Sequence, residues 1–384
     1  MNAPIQYGLI GCGGFGQFCL QEYRLAPDVI QCLAVADADP ALARRVADEF
    51  GLEWCPSPEA LLERGDINLV HLATPPSTHA PLGLEALRAG KHVLCEKPLA
   101  LTMEDAGAMV QLAKDQNRVL AVNLIMRYNP LCEAVKQLID SRLLGSPLFA
   151  QLVNVARDEP LGPGHWFWDR SRSGGIFVEH GVHFFDLFEY WFGPGHLLSA
   201  EQLTRPGTSL VDQVACSVRY GISTLGHFYH GFHQLDRGDR QSWKIVFEMG
   251  TLTMSEWVPV SMELEMYLTE SALAGFRRLL PAAEVNVVEQ YEGAARQARS
   301  YHQNRTVDLK VSATLTAGLP KMPLYGAMLR DLMADQAAAI RNPAHERKVS
   351  GQNGLTSLAS ALSAQEMADR ATPVPADSAR ATSS

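Results

Sequence analysis

The chain has 384 residues, 47% of them hydrophobic and 20% charged, with a formal net charge of -9. That length suits about two domains of roughly 100–200 residues and a core that needs no disulfides. The acidity excludes nucleic acid as a main partner, because phosphate binding needs a concentrated basic surface and no Lys/Arg block exists. Seven cysteines (Cys12, Cys19, Cys32, Cys55, Cys95, Cys132 and Cys216) are scattered without a CxxC pair, so they read as reduced thiols in a cytoplasmic protein rather than a zinc site. The first ten residues lack a signal-peptide pattern, and no apolar run approaches the ~18 residues of a membrane span.

Short apolar runs at residues 7–10, 31–36, 69–73, 92–95 and 119–123 alternate with longer amphipathic segments. Thr102 with Asp105 makes a capping box, and Gly90 marks a helix end. Strands alternating with helices imply a parallel, doubly wound sheet over residues 1–125. Apolar residues at helical spacing over 131–142 predict a helix leaving that domain. Residues 148–155 look like a strand and 174–191 like an aromatic-rich helix. The runs 213–220, 223–232, 243–247 and 251–257 follow one another without crossover helices. That order implies an open, mostly antiparallel sheet in an α+β domain spanning 126–370. Residues 270–316 resist assignment, with 297–305 a solvated basic loop. Helices return at 325–340 and 355–369, before an Ala/Ser/Pro/Thr-rich tail at 371–384, expected to be disordered.

Four motifs carry chemistry. Gly11, Gly13 and Gly16 form a G-x-G-x-x-G turn between the first strand and helix, suited to a pyrophosphate at the helix N-terminus. Asp37 ends the second strand where an acid binds ribose hydroxyls, which favours NAD over NADP; Asp39 is the rival and reads as a turn residue. The segment Ala73-Thr74-Pro75-Pro76-Ser77-Thr78-His79 lies at the carboxyl edge of the sheet, where open α/β sheets bind ligands. In Cys95-Glu96-Lys97-Pro98, a lysine at a strand end on that edge can stabilise an alkoxide. Finally, in a helix over 174–191, Glu179, His183 and Asp186 share one face as a candidate acid/base group. Phe177, Phe184, Phe188 and Trp191 line another, core-facing side. His180 points elsewhere as a structural residue, and no further ligand makes the cluster a metal site.

The order of these motifs resembles the glucose–fructose oxidoreductase, inositol dehydrogenase and MocA-like (Gfo/Idh/MocA) family, from Gly8 to about Asp369. The resemblance implies an N-terminal Rossmann domain and a C-terminal α/β domain with an open sheet. It implies catalytic roles for Lys97 and His183 and a cis peptide before Pro98. The cofactor set expected is Gly11, Gly13, Gly14, Phe15, Gly16, Asp37, Thr74, Pro75, His79, Glu96, Lys97 and Asn123. Arg127, Tyr128, His165, Trp166, Trp168, Glu179 and Asp186 are expected toward substrate. Two departures leave the substrate open: Glu179 replaces the usual Asp, and Trp166-Phe167 stands where Trp-Arg is common. Glu179 is expected to clamp substrate while Asp186 orients His183; the rival is a contact from Glu179 to His183 that raises its pKa. The implied activity is NAD-dependent hydride transfer at a hydroxyl or carbonyl carbon of a sugar, sugar acid or cyclitol, in a homodimer or homotetramer joined through strands between 199 and 269. The alternatives are a non-redox glycosidase that uses NAD and a dinucleotide-binding regulator without catalysis.

Overall fold

The computed structural model describes residues 3–158, 160–238 and 240–371. Apart from Ala371, the tail expected to be disordered lies outside these residues. The first sheet is built from β1 (Ile5–Ile10), α1 (Gly14–Tyr23), β2 (Ile30–Ala36), α2 (Pro40–Phe50), β3 (Glu53–Trp54), α3 (Pro58–Leu62), β4 (Leu69–Leu72), α4 (His79–Arg88), β5 (His92–Cys95), α5 (Met103–Asp115) and β6 (Leu120–Val122). Its strand order is β3-β2-β1-β4-β5-β6, and every pairing is parallel. The strands β4 and β6 are buried along their whole length, because helices cover both faces of a doubly wound sheet. Local chemistry sets the helix ends. Asp39 caps α2 by accepting from the Ala41 amide at 2.9 Å, ahead of Pro40. Thr102 caps α5 through the Asp105 amide at 3.1 Å.

The second half contains α6 (Pro130–Ser141), β7 (Pro147–Arg157), α7 (Arg170–Ser173), α8 (Val182–Phe192), β8 (Gly195–Thr204), β9 (Val211–Tyr220), β10 (Thr224–Gln234), β11 (Arg240–Phe247), β12 (Gly250–Ser255), β13 (Ser261–Leu268), α9 (Glu270–Leu279), β14 (Glu284–Gln290), β15 (Gln297–Ser300), β16 (Gln303–Thr306) and β17 (Leu309–Thr316). Nine strands form one open sheet in the order β14-β17-β13-β12-β11-β7-β10-β9-β8. Only β7 and β10 pair in parallel. Burial alternates along β9, β11 and β13, so one face packs inward and the other stays accessible. On the inner face, Phe184 meets Trp243, and Phe185 and Phe188 both meet Phe228. The segment that resisted assignment supplies α9, two strands of the large sheet and an exposed hairpin, β15–β16, over the basic stretch.

Two long helices, α10 (Lys321–Arg341) and α11 (Gly351–Ala371), close the chain. Both return to the first domain: α10 lies on α1, and α11 bridges the two halves, lying on α5 and β6 as well as on α8 and β8. Gly354 permits that approach, because a Cβ there would strike the Val122 side chain. The two domains therefore share a wall, and the carboxyl edge of the parallel sheet opens toward the second domain at this seam.

Candidate active site

A cavity of about 860 Å³ runs from the glycine turn to the start of α8. The glycines divide the labour. Gly11 has φ +105, and a Cβ there would strike the Ala73 carbonyl. A Cβ at Gly16 would strike the carbonyl of Gly11, so Gly16 packs the turn and lines none of the cavity. Gly13 and Gly14 have open space where a side chain would be, and with Phe15 they line the cavity. No side chain caps α1, which leaves its first amides for an anionic ligand. Asp37, just past β2, also lines the cavity. Its carboxylate accepts from the Cys12 amide at 2.7 Å and the Asp39 amide at 2.9 Å, so its position is fixed by the turn itself. A tight glycine turn, an open helix N-terminus and an acid at the next strand end fit a dinucleotide.

At the other end, Lys97, Glu179 and His183 line the same cavity. The Lys97–Pro98 peptide is cis. Lys97 Nζ donates to Glu179 Oε1 at 2.5 Å and to the Glu179 backbone carbonyl at 2.6 Å. The Glu179 carboxylate thus binds the lysine and not the His183 ring, while Glu179 still lines the cavity on the side expected of a substrate contact. His183 is buried, and its Nδ1 has no hydrogen-bond partner among the described residues. Burial, reinforced by the charge of Lys97, pulls its pKa well below the usual imidazole range, so it is neutral at pH 7. The ring of Trp257 stands edge-on to it, with centroids 5.5 Å apart.

Beneath this group, Glu96 and Asn123 line the cavity, and Asn123 Nδ2 donates to Glu96 Oε1 at 2.9 Å. The same oxygen lies 3.1 Å from His71 Nε2. Cys19, His71 and Glu96 bring one ligand-type atom each within 4.8 Å of one another. Burial raises the Cys19 thiol well above its ordinary pKa, and Glu96 is held by His71 and Asn123, so the group has the chemistry of a hydrogen-bonded cluster. His79 lies behind the wall: its ring nitrogens sit 2.6 Å from the Pro98 carbonyl and 2.8 Å from that of Thr74, tying the two edge loops together. Thr74 and Pro75 line the cavity.

The residues expected toward substrate divide. Trp166 lines the cavity; Arg127, Tyr128, His165, Trp168 and Asp186 do not. Arg127 donates through Nε and Nη2 to Asp186 at 2.8 and 2.7 Å, and its guanidinium lies 5.0 Å from the Tyr190 ring centroid. Asp186 is therefore committed to Arg127 and does not orient His183. Tyr128 donates to Asp335 at 2.6 Å. His165 Nδ1 accepts from the Phe167 amide, and Trp168 donates to the Leu161 carbonyl.

Among the lining residues that the sequence did not single out for the site are His180, Trp257 and Tyr325. His180 reaches the cavity because Phe177–Gly181 forms a π turn, wider than the regular helix expected there. Trp257 follows β12 and Tyr325 sits near the start of α10; an aromatic residue close to the end of an element was the one available signal.

Comparison with known proteins gives a consistent picture. Residues 5–124 match the oxidoreductase family with an NAD-binding Rossmann fold, and residues 132–253 match the GFO/IDH/MocA C-terminal domain. The chain is 29% identical to the dTDP-3,4-didehydro-2,6-dideoxy-alpha-D-glucose 3-reductase of Saccharopolyspora spinosa, over 68% of this chain and 79% of that one. It is 32% identical to the inositol 2-dehydrogenase of Rhizobium meliloti (strain 1021), over 49% of this chain and 55% of that one, so the match spans about half of that relative. The fold is shared with a levoglucosan dehydrogenase solved with NADH and levoglucosan, at TM-score 0.75 and 21% identity, covering 96% of this chain and 98% of that one.

Proposed function

The chain belongs to the Gfo/Idh/MocA oxidoreductase family, and from that premise we propose that it is an NAD-dependent dehydrogenase of an uncharged sugar or cyclitol. The observation that carries this reading is the meeting of Lys97 and His183 in the cavity that begins at the glycine turn. Gly13, Gly14, Phe15 and Asp37 would hold the dinucleotide, with Thr74, Pro75, Glu96 and Asn123 along its path. When bound, the nicotinamide supplies the hydride acceptor for alcohol oxidation. His183, neutral because it is buried, takes the hydroxyl proton as the C–H bond breaks. Lys97 donates to the substrate oxygen as negative charge builds on it. An ammonium has three donors and Glu179 occupies two, which leaves one for the substrate.

The lining chooses among substrate classes. At the Lys97–His183 end Glu179 faces the cavity, and Lys97 is the single cation among the lining residues, already paired. A carboxylate on the substrate would meet the Glu179 carboxylate there without a free cation to answer it. Trp166, Trp257 and Tyr325 offer apolar faces for the C–H side of a sugar ring. Family membership supports net redox over the NAD-dependent glycosidase reading, and the retained Lys97 and His183 argue against a non-catalytic regulator. The free cysteines accord with a cytoplasmic setting, and among the described residues no helix is long and apolar enough to cross a membrane. The test is a panel of neutral sugars, inositols and sugar acids with NAD, followed by absorbance at the reduced nicotinamide band. Turnover of neutral members is expected. Turnover confined to acids would overturn the substrate class, and none at all would overturn the dehydrogenase reading.

A further inference from the structure

The inner face of the large sheet changes character at one row. Along β7, β10 and β11 the inward residues Leu152, Phe228 and Trp243 form an apolar band. The next inward positions toward the cavity are Asn154, His230 and Gln241, and Asn154 pairs in register with both of the others. Asn154 and His230 are almost wholly buried, yet neither side-chain nitrogen of His230 and neither polar atom of the Asn154 amide has a partner among the described residues. His180 stands between them and the cavity. Its ring centroid is 5.4 Å from that of His230, it lines the cavity, and its buried Nε2 is also unpartnered. With His183 Nδ1, six unpartnered polar atoms gather in this one place.

Packing does not account for this. The surroundings are aromatic: Phe184 stacks on His230 with centroids 5.2 Å apart, and Phe232 meets His180 edge-on at 5.3 Å. Apolar rings would fill the same space without burying unsatisfied donors and acceptors, which native interiors avoid. Polar side chains persist in such a place when something binds to them. The π turn is a second sign, since such turns collect at functional sites and this one carries His180 to the cavity. Burial keeps His180 neutral, lowering its pKa to about 3, so its ring offers one donor and one acceptor. A hydroxyl group has the same dual character; a carboxylate does not.

We propose that His180, backed by His230 and Asn154, is a hydroxyl-reading subsite that fixes which carbon of a polyol faces Lys97 and His183. The proposal rests on the dehydrogenase reading above. His180 would touch a hydroxyl of the substrate other than the one oxidised. His230 and Asn154 would act through it, as positioning residues that hold its ring and an accompanying hydroxyl or water.

The experiment compares wild type, His180→Leu, His180→Gln and Asn154→Leu, using NAD with neutral sugars and inositols and their monodeoxy counterparts. NAD affinity of each variant checks that the fold and cofactor site survive. The wild type should reject one deoxy position by about 10–100-fold in kcat/KM, the range set by one lost hydrogen bond in a buried site. His180→Leu should raise KM for the parent compound and erase that discrimination, while His180→Gln restores part of it. Asn154→Leu should weaken discrimination in the same direction, and it carries the test if His180→Leu does not fold. A His180→Leu or Asn154→Leu protein that binds NAD normally and keeps the wild-type discrimination overturns the subsite and leaves the dehydrogenase intact. A wild type that oxidises no member of the panel overturns the dehydrogenase reading, and the subsite with it.

Discussion

Lys97 donates to two oxygens of Glu179, the carboxylate Oε1 at 2.5 Å and the backbone carbonyl at 2.6 Å. The extra methylene of glutamate over aspartate lets the carboxylate reach the ammonium from a residue whose backbone already contacts it. We propose that Glu179 is a positioning residue for Lys97. Glu179→Ala should leave the carbonyl contact but free the ammonium to turn, lowering kcat by about 10–100-fold with little change in NAD affinity. Glu179→Asp should fall between. Steady-state kinetics separate this from the alternative: a raised KM at unchanged kcat would mean that Glu179 clamps substrate after all.

We propose that Asp37 sets the cofactor preference. Its two oxygens each accept a backbone amide, so the carboxylate cannot swing away from a 2′-phosphate. We predict that NAD binds at least ~100-fold more tightly than NADP, and that Asp37→Ser narrows the gap mainly by improving NADP. Paired fluorescence titrations of the two reduced cofactors check this. Equal affinities in the wild type would remove Asp37 from the ribose site.

The residues that the sequence revealed are those whose partners lie close along the chain. The glycine turn, Asp37 and the Thr102 cap each act within a strand, a turn and a helix, so spacing alone exposes them. Lys97 and His183 were legible because each sits at a recognisable junction. The Arg127–Asp186 pair was not, because its members are separated by 59 positions and a helix-face argument sees only one of them. His180 was hidden by the π turn, which breaks the 3.6-residue period on which such arguments rest. Trp257 and Tyr325 come from distant elements that meet only when α10 returns to the first domain. The region 270–316 defeated pattern reading for a similar reason, since β17 inserts between β13 and β14 and its pairing is not with its chain neighbours.

The accessible face of the nine-stranded sheet should join two copies. Leu225 on β10 is 42% exposed beside Phe149 on β7, its register partner. We predict a dimer, or a tetramer built from it, at micromolar concentration. Leu225→Glu should shift sedimentation toward the monomer while NAD affinity is kept. A wild-type monomer would overturn the assembly.

Acid should unfold this protein early, and the reason lies in its buried histidines. Burial lowers the pKa of His79, His180, His183 and His230. For His180 the folded value is about 3, against an unfolded value near 6.5. Between those limits the unfolded chain binds the proton and the folded chain does not. For His180 the stability contributed by the neutral ring is fully present above about pH 6.5 and falls as pH drops toward 3; the other three act in the same direction. Asp186 works in the opposite sense near the carboxylate range, because burial raises its pKa. The test therefore compares two proteins. Urea unfolding of the wild type and of His230→Phe, at pH 7, 6 and 5, should show a steep loss for the wild type and a shallower one for the variant. Identical slopes would mean that His230 gains a proton, or a partner, in the folded state. The same burial predicts that alcohol oxidation does not titrate away near pH 6, since His183 remains a free base there; a kcat that falls with an apparent pKa near 6.5 would show an exposed imidazole.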